Sequence, residues 1–212
     1  MKIALVGATG NIGREITRQA LARGHQVTAI VRRDHDLPTE LNGAQLATAA
    51  LDDTEALAAV IAGHDVLASA YGPRPGDDPA TVTTVTADLV KAARQAQVAR
   101  FIMVGGAGSL EVAPGVQLVD TDGFPDAYKP VALAARETFR QLQQVEDIDW
   151  TFYSPAAEIG PGPQQGGFRT QAKQFLVGAD GHSRISYADY ADAFVSEIEK
   201  PQYAKQIATV AY

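Results

Sequence analysis

The chain has 212 residues, no cysteine and a formal net charge of −7 at pH 7. That length suits one large domain with a substantial buried core. The missing cysteine excludes disulfide scaffolds, thiol nucleophiles and cysteine metal sites, and the acidic balance argues against a general nucleic-acid or membrane-surface binder.

Apolar runs alternate with helical patterns over the first 155 residues. Segment 2–6 (KIALV) reads as a buried strand, and 11–24 as a helix with Ile12, Ile16 and Leu21 roughly on one face and Gly24 as its stop. Segment 26–32 is a second strand, rich in β-branched residues, and 44–50 is a weaker third. Residues 52–63 form a helix with Asp and Thr at its start and Gly63 at its end. A strand follows at 65–70, then a helix at 81–98 that many threonines start poorly, then a strand at 100–106. Pro130 falls in the first turn of a helix over 130–146, and 149–155 is a strand ended by proline.

This alternation predicts an α/β fold, a doubly wound parallel sheet of Rossmann type with helices on both faces. After residue 155 the rhythm changes. Residues 155–167 are loop material dense in glycine and proline, and 168–186 read as two short strands around a turn. Residues 186–200 form a helix capped through Ser186 and Asp189, and 205–212 a final strand. The expectation is one domain over 1–212, with 155–212 as a small lobe on the substrate side. No apolar run approaches the ~20 residues that cross a bilayer, and the N-terminus lacks a secretory pattern, so a cytoplasmic protein is expected.

Three glycines, Gly7, Gly10 and Gly13, stand between the first strand and the first helix. Ligands of an open parallel sheet bind outside the carboxyl ends of its strands, where strand order reverses. A helix N-terminus there offers free N–H groups and partial positive charge to a phosphate, provided no side chain intervenes. Gly7 permits the tight turn, Gly10 lets a pyrophosphate reach the backbone, and Gly13 lets the helix pack close. Thr9 and Asn11 add hydrogen bonds to phosphate oxygens, and Ile12 belongs to the same turn. This is a dinucleotide-binding pattern in the context that supports it.

Arg32 and Arg33 end the second strand, facing the adenosine ribose. Arginine pairs with a 2′-phosphate and favours NADP(H); Asp34, next in the chain, keeps NAD(H) open. Asp52 and Asp53 end the third strand, either against the adenine edge or as the helix cap. Ser69, Ala70 and Tyr71 line the cofactor trough from the fourth strand, Gly105 and Gly106 from the fifth, and Pro155 ends the sixth. Ser109 could donate to a substrate carbonyl, or the small residues there make room for the nicotinamide. Glu158 reads as a solvated loop acid. None of His25, His35, His64 and His182 pairs at metal-ligand spacing, so no metal is expected.

GATGNIG (7–13), VRR (31–33), VGGAGSLEVAPG (104–115), DAYKP (126–130), YSPAAEIGPG (153–162) and DGHSRISYADYADA (180–193) together resemble atypical short-chain dehydrogenase/reductases. The nearest group is the bacterial NADH-flavin reductases, related to biliverdin reductase B and NmrA-like proteins. The likeness covers nearly the whole chain. It implies a single NAD(P)-binding domain and reduction of a flavin, quinone or similar planar acceptor. Typical members of the superfamily carry Tyr-x-x-x-Lys, in which the lysine prepares the tyrosine to protonate a carbonyl. Here Tyr128 is followed directly by Lys129 and at the fourth position by Ala132, Tyr153 by Ala157, and Tyr187 by Ala191. Ser109, Tyr128 and Lys129 are the catalytic candidates. Hydride transfer to a flavin or quinone needs proximity and orientation rather than that relay. A protein that binds NADP(H) and reports its state, as NmrA-like proteins do, is the alternative; a nucleotide-sugar epimerase is disfavoured.

Overall fold

Side chains alternate across each central strand, and the alternation decides the architecture. In the computed structural model, which describes residues 1–31, 38–74 and 76–212, the elements in chain order are β1 (Lys2–Val6), α1 (Asn11–Ala22), β2 (Gln26–Val31), β3 (Gln45–Thr48), α2 (Thr54–Ile61), β4 (Val66–Ser69), α3 (Thr81–Gln95), β5 (Arg100–Val104), β6 (Glu111–Ala113), β7 (Val116–Gln117), α4 (Lys129–Leu142), β8 (Asp149–Ser154), β9 (Glu158–Gly160), β10 (Arg169–Ala172), β11 (Arg184–Ser186), α5 (Tyr187–Glu199) and β12 (Gln206–Ala211). Ile3 and Leu5 of β1, Ile102 of β5 and Tyr153 of β8 share one core with Ile16 of α1 and Tyr190 and Phe194 of α5. Ala4, Val6, Phe101, Met103 and Phe152 share the opposite core with Leu57 and Ile61 of α2, Leu89 of α3 and Leu142 of α4. Strands covered on both faces have no polar side, which is why they read as continuous apolar runs. Each wholly buried Phe, Leu or Ile contributes about 1.5–3 kcal/mol.

The main sheet runs β10-β12-β8-β5-β4-β1-β2-β3. Its strands are parallel except β10, which lies antiparallel on β12. This is the doubly wound Rossmann-type arrangement. From β1 the chain first builds outward through β2 and β3, then returns to add β4, β5, β8 and β12 on the other side. The order therefore reverses between β1 and β4, which opens a crevice at their carboxyl ends.

Local chemistry sets the boundaries. Gly24, at φ +78°, ends α1 in a Schellman motif: His25 N–H donates to Ala20 O at 3.0 Å and Gly24 N–H to Leu21 O at 2.9 Å. The helix predicted over 81–98 stops at Gln95 by the same device. There Gln97 takes φ 57° and Val98 N–H donates to Ala93 O at 2.9 Å. No glycine marks that end, so the sequence concealed it. Asp53 caps α2 by accepting from Ala56 N–H at 3.0 Å.

One expectation for the C-terminal third changes. Residues 168–186 do contain two short strands, β10 and β11, around a turn in which Gly178 N–H donates to His182 O at 2.7 Å. They do not pair with each other: β10 edges β12, and β11 runs parallel to β9 in a separate two-stranded ribbon. Within 155–212, β12 and β10 extend the main sheet, α5 packs against α1, and β9 and β11 pair as a separate ribbon.

Candidate functional site

The β1–α1 turn is nearly bare backbone, and each glycine in it meets a different surrounding. Gly7 has φ +78°, and a Cβ built on it would lie 2.6 Å from the carbonyl carbon of Ala70 and 2.8 Å from Tyr71 N. A Cβ on Gly13 would lie 2.1 Å from Gly7 O. These two positions exclude any side chain because backbone packs on backbone. Gly10 differs: it is exposed, extended at φ −78° and ψ 167°, and among the described residues a Cβ there would approach only Gly7 O, at 3.4 Å. No side chain of the described residues caps α1. The amides of Asn11, Ile12 and Gly13 occupy the first turn, where no helical carbonyl reaches them. Asn11 Oδ1 accepts from Arg14 Nη2 at 2.9 Å, and Thr9 and Ile12 are half-buried beside it.

Neighbouring strand ends continue this surface. Ser69 is buried, and its Oγ accepts from Tyr71 N–H at 3.3 Å, turning the chain so that Ala70 and Tyr71 back onto Gly7. The Tyr71 hydroxyl donates to Thr81 Oγ1 at 3.3 Å. Gly105 lies against β8: a Cβ on it would fall 2.4 Å from Phe152 Cε1 and 2.8 Å from Ser154 Oγ. Its N–H donates to Tyr153 O at 2.8 Å, and Ser154 Oγ donates to Gly106 O at 3.1 Å. Pro155, buried, follows directly. Thus the glycine turn, 69–71, 105–106 and 155 lie along one carboxyl edge. Asp52 is exposed ahead of α2, where the cap is its neighbour Asp53. Arg32 and Arg33, with Asp34, lie outside the described residues.

The three catalytic candidates have unlike surroundings. Ser109 is 2% exposed and its buried Oγ has no hydrogen-bond partner among the described residues. Tyr128 is 68% exposed at the start of α4, with Lys129 exposed beside it. One turn on, Ala132 is buried with its methyl directed at Gly108, where a Cβ would come within 2.9 Å of it. Tyr153 is buried, and burial pushes its phenol well above the usual range, with Glu197 adding to the shift.

A cleft of about 560 Å³ opens at the same edge, beyond β8, lined among others by Ile159, Pro161, Pro163, Ile185, Ser186 and Tyr212. Register fixes its position. Thr209 of β12 is level with Ser154 of β8, so Tyr212 stands three residues farther toward the carboxyl side. Glu158 belongs to β9 and pairs with His182 at 3.3 Å on the exposed rim. Arg184 pairs with Asp180, whose carboxyl is held below its usual range by the His182 amide and by Arg184. Residues 160–167, read from sequence as loop only, are anchored beside this cleft by Asp189. It is 0% exposed and accepts from Gly166 N–H at 2.9 Å, Gln165 N–H at 3.1 Å and the Tyr212 hydroxyl at 2.7 Å. Sequence signalled Asp189 only as part of a helix cap. Among the described residues no group of three or more His, Asp or Glu is disposed to hold a metal, and no helix is long and apolar enough to cross a membrane.

The chain matches the NAD(P)H-binding family over residues 7–201. It is 39% identical to the protein YwnB of Bacillus subtilis (strain 168) over 213 aligned residues, covering 99% of this chain and 98% of that protein. Among solved structures, a "putative exported protein" of Burkholderia pseudomallei is 52% identical with a TM-score of 0.93, covering 100% of both chains. SP1627 of Streptococcus pneumoniae TIGR4, a "putative NADH-flavin reductase", is 32% identical with a TM-score of 0.90, covering 100% of this chain and 99% of that one. The bare helix N-terminus, the reversal of strand order above it and these likenesses agree: the chain belongs to the NAD(P)H-binding family, with the Rossmann-like fold of its reductase neighbours.

Proposed function

We propose that this protein is an NADPH-dependent reductase that delivers hydride to a flavin, quinone or similar planar acceptor. The observation that carries the reading is the open face of Gly10 between two glycines packed tightly on backbone. Such a cradle fits a pyrophosphate: the amides of Asn11, Ile12 and Gly13 would take its oxygens, and the positive end of α1 would offset its charge. Gly7, Thr9, Ser69, Ala70, Tyr71, Gly105, Gly106 and Pro155 would line the trough in which the rest of the dinucleotide lies. Asp52 would stand at its adenine end, with Arg32 and Arg33 taking the 2′-phosphate. NAD(H) remains the second cofactor, read through Asp34. The bound reduced nicotinamide supplies the hydride.

The acceptor is argued from what surrounds the trough. Ala132 fills the position four residues after Tyr128 and packs inward, so no lysine there prepares that tyrosine as an acid. A planar acceptor needs stacking and orientation, and the cleft beyond β8 offers proline, isoleucine and tyrosine surfaces at a volume suited to a small molecule. Ser109, Tyr128 and Lys129 would be limited to hydrogen bonds to the acceptor. We place this chemistry in the cytoplasm, with no nucleic-acid or membrane partner.

Stopped-flow mixing with NADPH and riboflavin, FMN or menadione tests the reading. Oxidation of NADPH faster than the uncatalysed rate supports it; no acceleration with any of the three removes it. Unequal affinities for NADP⁺ and NADPH without turnover would instead favour a protein that senses cofactor state, since a ligand shifts only an equilibrium whose states it distinguishes.

A further inference from the structure

The start of α5 departs from an ordinary capping box. Half of the box is made: Ser186 Oγ accepts from Asp189 N–H at 3.0 Å. In the other half, the acid at the third helical position should accept from the cap residue's own N–H. Here Ser186 N–H donates to the Tyr212 hydroxyl at 3.1 Å instead. The Asp189 carboxylate turns away from the helix, toward Gln165, Gly166 and Tyr212. The Ser186 hydroxyl has one proton and two acceptors in reach, Pro163 O at 3.0 Å and Asp189 Oδ2 at 3.2 Å.

We propose that Asp189 is a positioning residue, whose buried carboxylate holds residues 160–167 as a strap and so sets the wall of the acceptor cleft. The inference rests on the reading of that cleft given above. Three observations support it. First, the carboxylate is wholly buried, and no cation pairs with it among the described residues. Burial alone would push its pKa up, yet the hydroxyl and amide donors hold it down, so the group stays ionised and keeps these donors. Second, the strap itself has few other anchors. Residues 161–165 are exposed, Gly166 and Gly167 sit at φ +68° and +72°, and the other side-chain ties among the described residues are Ser186 Oγ donating to Pro163 O at 3.0 Å and Gln19 Nε2 donating to Gln164 Oε1 at 2.7 Å. Third, Pro161, Pro163, Gln165, Ser186 and Tyr212 belong both to this network or its strap and to the lining of the cleft. A change at Asp189 therefore reaches the cleft wall without touching the β1–α1 turn.

The test compares wild type with Asp189→Asn, which keeps shape but places an NH₂ where donors now point, and with Tyr212→Phe, which removes one donor to Asp189 together with the acceptor of Ser186 N–H and keeps the ring. Hydrogen exchange is measured on each full chain without ligand, then with NADP⁺ and FMN. Amides of Gln165 and Gly166 should exchange at least ~10-fold faster in Asp189→Asn, while those of β1, β4 and β5 are unchanged. FMN should slow exchange across 160–167 in wild type. In steady state the KM for FMN should rise about 10-fold, with the Kd for NADPH within twofold of wild type. Tyr212→Phe should give a smaller change of the same sign. Unchanged exchange at Gln165 and Gly166 in a folded Asp189→Asn protein overturns the proposal. So does an equal loss of NADPH and FMN binding, which marks general damage. If Asp189→Asn does not fold, Tyr212→Phe decides by the same criteria. If wild type reduces no acceptor, the functional reading has failed; unliganded exchange then decides whether Asp189 holds the strap, and FMN protection decides whether the cleft takes a planar ligand.

Discussion

Replacing Gly10 by valine should separate cofactor binding from folding. Among the described residues a Cβ at this position approaches only Gly7 O, at 3.4 Å, and φ is −78°, which a β-branched residue adopts without strain. The stability cost is that of a poor N-cap, about 0.5–1 kcal/mol. For a chain of this size that lowers Tm by roughly 1–4 °C. The isopropyl group would fill the space above the first-turn amides. Loss of two charge-assisted amide–phosphate bonds, at about 1.5–3 kcal/mol each, weakens NADPH by roughly 10²–10⁴-fold. Gly13→Ala is the converse control. Alanine gains ~1 kcal/mol of helix propensity over glycine, but its methyl would lie 2.1 Å from Gly7 O, a backbone atom that no rotamer can move aside. The clash should prevail, at about 1–3 kcal/mol net or more and a fall in Tm of roughly 2–12 °C. Isothermal titration with NADPH and thermal melts on both variants decide the matter. Wild-type affinity in Gly10→Val would show that the dinucleotide lies elsewhere, and the functional reading would go with it. A wild-type melt for Gly13→Ala would refute the packing argument.

Arg32→Ala with Arg33→Ala should weaken NADPH by about 1.5–3 kcal/mol and NADH far less, measured by titration with both cofactors; equal weakening would show that these arginines do not read the 2′-phosphate. Glu197 is 4% exposed and accepts from Arg100 Nη2 at 3.0 Å, Thr151 Oγ1 at 3.2 Å and Gln202 N–H at 2.9 Å. Glu197→Ala leaves the Arg100 guanidinium buried without its partner and should cost about 3–5 kcal/mol by urea denaturation, whereas a loss under 1 kcal/mol would mean that water reaches the cation. Asp189 and Glu199 have pKa values held below the usual range, so the stability they confer is present above pH ~4 and is lost as pH falls through their folded values. The Tm gap between wild type and Asp189→Asn should therefore narrow from pH 7 to pH 3, and a constant gap would show that ionisation is not what matters at Asp189.

Sequence was most informative where one physical rule acts locally. Continuous apolar runs read as strands covered on both faces, and glycine at the first strand–helix junction read as a place of close approach, which Gly7 and Gly13 show against backbone. It was least informative where the outcome depends on residues far apart in the chain. β9 lies in a proline- and glycine-dense stretch with no alternation to detect, and it becomes a strand because Arg184–Ser186 pairs with it. Residues 168–186 carried the signals of strand and turn, but partner choice was set by the free edge of β12. Asp189 fitted a capping pattern, and its amide does serve the cap; the use of its carboxylate became visible only once Gln165 and Tyr212 were beside it. Ser69 shows the same limit, since its hydroxyl turns toward Tyr71 N–H rather than outward.

The two ends of the sheet are held together differently. At the amino end, charged and polar groups tie elements together: Lys2 N–H donates to Asp65 at 2.7 Å, His64 meets Thr28 Oγ1 at 2.8 Å, and Arg100 is locked to Glu197. At the carboxyl end, Gly7, Gly13 and Gly105 pack without side chains, and the amides of the first turn of α1 have no helical carbonyl to meet. Free backbone at one end is tolerable because stability is secured at the other and in the two cores between. The buried carboxylate at the carboxyl end, Asp189, spends its hydrogen bonds on the strap and on the C-terminal tyrosine. Damage at the amino end should therefore move Tm and leave NADPH affinity alone, whereas Gly10→Val, at the open position of the glycine turn, should chiefly lower affinity and move Tm little.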